Sequence, residues 1–149
     1  MNSREIAERL TRTLPVAVRV CPLDRLFLPT YPAAFVVNFD TANLPGTHWG
    51  LICLHSDRSV TFFDPLCIEP VPEILLLWLS LHVPKPVAMN CQSVQHPLST
   101  TCGAHVIFVA EKHFVHRLSI ERILKHCYTN NLLENDAKVR SYCLQINNP

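Results

Sequence analysis

The sequence predicts an α+β fold, a central mixed or antiparallel sheet packed by helices, and three observations carry that prediction. Segments rich in β-branched and aromatic residues cluster between positions 33 and 63. Two of them flank a short polar stretch, His55-Ser56-Asp57-Arg58-Ser59, that fits a hairpin turn. Apolar residues recur with helical spacing around 74–81 and 104–110. With 149 residues and 48% hydrophobic content, the chain can enclose one sizeable core, and its length points to one domain over residues 1–149.

Taken in order, residues 3–13 place Ile6 and Leu10 at i and i+4 behind Ser3, which can cap the free amides, so a short amphipathic helix is expected. Pro15, Pro22, Pro29 and Pro32 then predict an extended, looping segment, because each lacks an amide donor and restrains the residue before it. Ala33–Phe39 reads as a buried strand leading into the turn-forming run Asp40–Gly46. His48–Leu54 and Val60–Phe63 read as the two arms of the hairpin.

Pro72 suits a first helical turn, and Ile74, Leu75, Leu77, Trp78 and Leu81 form a core helix that Pro84 stops. Val87–Val94 reads as a further strand. The dense apolar run Ala104–Ala110 predicts a helix buried on nearly all sides, with Ser99–Thr101 as cap candidates. Ser119–Tyr128 reads as another helix and Val139–Ile146 as a terminal strand or tail.

Composition excludes several function classes. The longest apolar run, Ile74–Leu81, falls short of the roughly 20 residues a bilayer-spanning helix needs, so no membrane partner is expected. Met1–Glu5 is charged and lacks a secretory h-region, which places folding in the cytosol or nucleus. Seven cysteines, at 21, 53, 67, 91, 102, 127 and 143, contain no CxxC pair, and most are expected to be reduced and buried. A net charge of +1 from 13 basic and 12 acidic side chains supplies no strong pull toward nucleic acid. His113 and His116 stand at i, i+3 without further ligands, which reads as a surface pair, and no metal site is expected.

One cysteine has a context that favours chemistry. A thiol attacks only as its thiolate, and a helix start favours negative charge through its unpaired amides, which is where Cys102 falls. Gly103 beside it would let a substrate backbone approach, and the preceding Ser99-Thr100-Thr101 is polar. A nucleophile needs a base and a group that orients the base. His48 follows a Pro-Gly turn and Asp64 closes the neighbouring strand before Pro65, so hairpin pairing brings both to one sheet edge.

These residues carry a family resemblance. Gln92-Ser93-Val94-Gln95-His96-Pro97-Leu98-Ser99-Thr100-Thr101-Cys102-Gly103 resembles the nucleophile segment of adenovirus-protease (adenain-like) cysteine peptidases. Gly46-Thr47-His48-Trp49 is similar to that family's base motif, and Phe62-Phe63-Asp64-Pro65 to its aromatic-acid-Pro motif, with Asp where adenovirus enzymes usually have Glu. The resemblance covers roughly residues 30–115 and implies the family's cysteine-protease fold with the nucleophile at a buried helix start. It implies Cys102 as nucleophile, His48 as base, Asp64 as its orienting partner and Gln95 as oxyanion donor, ahead of the nearby Gln92.

The function so implied is a cysteine endopeptidase that cleaves viral capsid or core precursors during virion maturation, in the host nucleus or cytoplasm or packaged in the virion. About 47 residues follow Cys102, so a compact relative with an abbreviated carboxy-terminal helical part is expected. The chemistry itself requires no cofactor. The resemblance brings an activating peptide and DNA as cofactors, but no cysteine matches the peptide-linking one, and the near-neutral charge permits only weak DNA association. Proteases of SUMO and other ubiquitin-like modifiers share the order His, Asp, Gln, Cys and form the alternative, with Trp49 at the position that helps wall their Gly-Gly channel. A non-catalytic interaction module keeping the protease fold is the third reading.

Overall fold

The computed structural model describes residues 1–145. Strands β2 (Ala33–Asn38) and β3 (Trp49–Leu54) are buried along their whole length, which is why they read as unbroken apolar runs. They pair antiparallel, and β3 pairs antiparallel with β4 (Val60–Phe63) through Leu51↔Phe63. Two parallel edge strands, β1 (Ala17–Pro22) beside β2 and β5 (Val87–Met89) beside β4, complete a mixed sheet in the order β1-β2-β3-β4-β5.

Side-chain alternation divides the sheet between two cores. Ala34, Val36, Leu51, Cys53 and Phe63 face helices α1 (Ser3–Thr13), α3 (Cys102–Phe114), α4 (Ile120–Cys127) and α5 (Leu132–Gln145). Ala33, Phe35, Val37, Ile52, Leu54 and Phe62 face α2 (Glu73–His82). The first ten residues of α3, Cys102–Glu111, are all buried. A buried ion pair ties three helices together: Arg9 of α1 donates to Glu111 of α3 at 2.9 and 3.0 Å and to the Cys143 carbonyl of α5 at 2.9 Å.

Several expectations need correction. The proline-rich segment is not all loop, because β1 fits between Pro15 and Pro22; a proline ending an edge strand forfeits no ladder bond. The amino-terminal cap is Asn2, not Ser3: its Oδ1 accepts the Glu5 amide at 3.0 Å while the Glu5 carboxylate accepts the Asn2 amide at 2.8 Å. Strand β5 stops at Met89, well before Val94. Helix α2 buries Leu75, Trp78 and Leu79, but Ile74, Leu76, Leu77 and Leu81 face outward.

The expected terminal strand or tail at Val139–Ile146 is helix α5 instead, with Ile146 outside the described residues. Asp136, Val139 and Cys143 are all buried, and a spacing of three followed by four fits one face of a helix and not of a strand. His113 and His116 do not form a helical surface pair. Helix α3 ends at Phe114, and His113 is half-buried, with Nδ1 2.7 Å from the Leu118 carbonyl and Nε2 3.3 Å from His55 Nδ1.

Candidate active site

Asp64 is placed by the β3–β4 register, being the next residue after Phe63 at the end where His48 precedes Trp49. Its carboxylate is fixed by local geometry: Oδ1 accepts the Leu66 amide at 2.9 Å and Oδ2 the Ile68 amide at 2.8 Å. The chain therefore curls around the side chain just past Pro65. Its backbone is gripped on both sides by Asn90, whose Oδ1 accepts the Asp64 amide at 2.9 Å and whose Nδ2 donates to the Asp64 carbonyl at 2.7 Å. Sequence reasoning missed Asn90, having assigned it to strand. The early end of β5 is what frees it to turn back.

His48 Nε2 lies 2.6 Å from Asp64 Oδ1, with both side chains buried. The imidazole packs edge-on to Phe39 at 4.8 Å, and the His48 carbonyl accepts the Phe39 amide at 3.0 Å, so the ring is held from behind and from its backbone. The loop before it turns at Gly46, whose φ of +83° suits glycine, and a Cβ there would sit 2.6 Å from Asn38 Nδ2.

Cys102 is the first residue of α3 and is 7% exposed, a buried thiol at the sheet edge that carries His48. Burial pushes the thiol up, but interaction with His48 and with the Trp49 and Gly103 amides outweighs it and holds the thiol below its ordinary value. Burial likewise lowers His48, yet the bonds to Asp64 and Cys102 win and raise it to about 9. Asp64 is held below the usual carboxylate range because His48 and the Ile68 and Leu66 amides outweigh its burial. All three shifts run in the direction of an Asp64 carboxylate, a His48 imidazolium and a Cys102 thiolate.

Gln95 is buried to 1% exposure, whereas Gln92 is exposed. The Gln95 amide and the Val94 amide both donate to the Pro65 carbonyl, at 3.1 and 2.8 Å, which ties this segment to the Asp64 turn. One N–H of its carboxamide donates to the Ser99 carbonyl at 3.0 Å, and its Oε1 has no partner among the described residues. Two expectations about the neighbourhood fail. Thr101 occupies the cap position of α3 but makes no side-chain cap bond. Gly103 faces α1 rather than a substrate: a Cβ there would lie 3.3 Å from both Met1 Cβ and Ile6 Cδ1. Trp49 is buried in the same core as Cys102.

All seven cysteines are free, and Cys21, Cys53, Cys102 and Cys143, four of the seven, are buried. Among the buried ones, Cys21 is pushed up to about 11 and Cys53 higher still by burial, so the low Cys102 thiol stands apart from them.

No family model matches the chain, and no curated protein matches it in sequence. Solved structures match in fold. ChlaDub1 from Chlamydia trachomatis aligns with a TM-score of 0.55 at 12% identity, over 76% of this chain and 59% of that one. A second structure of the same effector, ChlaDUB1, gives 0.56 at 13% identity over 76% and 54%. The effector Cdu1 of C. trachomatis, bound to ubiquitin, gives 0.52 at 14% identity over 75% and 60%. The chain thus spans less than two thirds of each of these structures. At such identity the likeness is one of fold: the chain has the α+β architecture of these effectors, with Cys102 at the start of its buried helix.

Proposed function

We propose that the chain is a cysteine peptidase in which Cys102 is the nucleophile, His48 its acid–base partner, Asp64 the residue that orients His48 and Gln95 an oxyanion donor. The observation that carries this reading is the 2.6 Å contact of His48 with a twice-anchored Asp64, together with a thiol at the start of α3 that His48 depresses. Because Asp64 occupies Nε2, Nδ1 is the ring nitrogen left for the thiol. The His48 interaction that lowers the thiol and the Cys102 interaction that raises the imidazole both favour the ion pair over the neutral pair.

Thiolate attack on a substrate carbonyl then builds an oxyanion, which the Cys102 amide and the second carboxamide N–H of Gln95 would stabilise. The His48 imidazolium gives its proton to the departing amine, leaving a thioester on Cys102. Neutral His48 takes a proton from the incoming water, and hydrolysis of the thioester restores the ion pair.

For substrate class, the reading best supported is the carboxy-terminal tail of ubiquitin or a ubiquitin-like modifier, because a structure sharing this fold is the effector Cdu1 bound to ubiquitin. Cleavage of viral capsid or core precursors is the second reading, and it rests on the motifs around His48, Asp64 and Cys102. Release of a fluorophore from ubiquitin or SUMO conjugates by the wild type, abolished in Cys102→Ala, is the expected result. Processing of capsid-type precursors with all modifier conjugates left intact would reverse the order of the two. Loss of neither activity in Cys102→Ala would sink the peptidase assignment.

A further inference from the structure

Helix α5, the element the sequence hid, reaches back to the segment between Gln95 and Cys102. Asn135 and Asp136, 1% and 3% exposed, are adjacent on it. Asn135 Nδ2 donates to the Val94 carbonyl at 3.1 Å and to the Thr129 carbonyl at 2.9 Å, while its Oδ1 accepts the Thr129 amide at 2.9 Å. Asp136 Oδ2 accepts the His96 amide at 3.3 Å. Its Oδ1 accepts the Thr101 hydroxyl at 2.8 Å and His105 Nε2 at 2.8 Å, and His105 Nδ1 is 3.0 Å from the Tyr128 hydroxyl. Every polar group of the pair is therefore engaged, and three grips fall at positions 94, 96 and 101.

Those positions matter because they bracket Gln95 and abut Cys102. Residues 97 and 98, between the grips, are exposed and make no contribution to the hold. Thr101 stands at the cap of α3, where a threonine hydroxyl ordinarily accepts an amide of its own first turn. Here it donates to Asp136 and makes no cap bond, which fixes the residue directly before the Cys102 amide. A buried carboxylate needs full compensation, and the His105–Tyr128 chain beneath it supplies this while locking the acceptor's orientation.

We propose that Asn135 and Asp136 form a positioning clamp that holds the Gln95 loop and the start of α3 in register, so that the side-chain and backbone oxyanion donors converge on one point. This rests on the reading of Gln95 and the Cys102 amide as those donors. The clamp touches no substrate and acts only through the groups it holds.

The test uses Thr101→Val, which removes only the hydroxyl, with Asp136→Asn beside it and Thr101→Ser as the conservative rescue. On a ubiquitin–aminomethylcoumarin conjugate, Thr101→Val and Asp136→Asn should lower kcat about 10- to 100-fold, part of the value of one oxyanion donor, with KM within about threefold. Alkylation of Cys102 by iodoacetamide, which builds no oxyanion, should stay within about threefold of wild type, because the clamp acts on the donors and not on the thiolate. Amide exchange of the 93–101 peptide should quicken in both variants and return toward wild type, together with kcat, in Thr101→Ser.

Unchanged kcat in folded Thr101→Val, or a kcat loss matched by an equal loss in alkylation, overturns the proposal. If Asp136→Asn does not fold, Thr101→Val decides alone. If the wild type cleaves no conjugate, it is the modifier-tail reading of the substrate that fails. The exchange arm still judges the clamp then, and unaltered exchange over 93–101 in the variants overturns it.

Discussion

At Cys102 two effects oppose each other: burial resists a charge on sulphur, and an imidazolium with two backbone amides invites one. The invitation wins only while Asp64 keeps His48 protonated, since burial by itself would drive the imidazole neutral. Turnover needs the thiolate and the imidazolium together, so activity should fall as pH drops through the depressed Cys102 value and again as pH rises through about 9. Asp64→Asn removes the charge that raises His48. The alkaline limb of a kcat/KM–pH profile should then move to lower pH, the acid limb should move up as the thiol loses its partner, and the maximum should drop by about 10²–10⁴. A profile that keeps its alkaline limb near pH 9 in Asp64→Asn would show that another group sets it. Asn90→Ala leaves the Asp64 amide unpaired and its carbonyl with the Cys67 amide alone, and a stability loss of about 1–3 kcal/mol by urea unfolding is expected, accompanied by a lower kcat.

Among the elements, α3 carries Cys102 at one end and, about two and a half turns on, the Glu111 carboxylate that holds Arg9 of α1, which in turn reaches the Cys143 carbonyl of α5. The Arg9–Glu111 pair is bidentate and buried, and removing one partner strands the other charge in the core. Glu111→Ala should cost about 3–5 kcal/mol in chemical denaturation, whereas replacing both residues with apolar ones of similar volume should cost far less. Comparing the two melts separates a stranded charge from a lost contact. The helices that were legible in advance, α1 to α4, carry their period in plain apolar residues. Helix α5 does not: its inward face is Asn135, Asp136, Val139 and Cys143, half of it polar, and no hydrophobic stripe announces it.

For the molecule as a whole, strands β2 and β3 are buried on both faces, between a four-helix layer and α2. Hydrogen exchange should therefore find its slowest amides in β2, β3 and α3, and markedly faster ones in α2, whose outer face is Ile74, Leu76, Leu77 and Leu81 in solvent. Equal protection of α2 and α3 would contradict the division into an enclosed layer and a half-exposed one. The four-helix layer is also what sets the site. It delivers Cys102 from α3 to the β3–β4 edge, and α5 from behind to the loop before it.

The sequence by itself determined the sheet's central strands and the burial of α3, while its resemblance to a protease family is what singled out His48, Asp64, Gln95 and Cys102. Periodicity and turn chemistry are local properties, and the strands and the helix follow from neighbours along the chain. Only the tertiary structure decided that Asn90 grips Asp64, that Gly103 makes room for α1 rather than for a substrate, and that Asn135 and Asp136 hold the Gln95 loop. Those contacts join residues from 26 to 41 positions apart, or separate helices outright, through hydrogen bonds that no pattern of hydrophobicity encodes. A polar side chain looks the same in sequence whether water or a buried amide is its partner, and folding chooses between them.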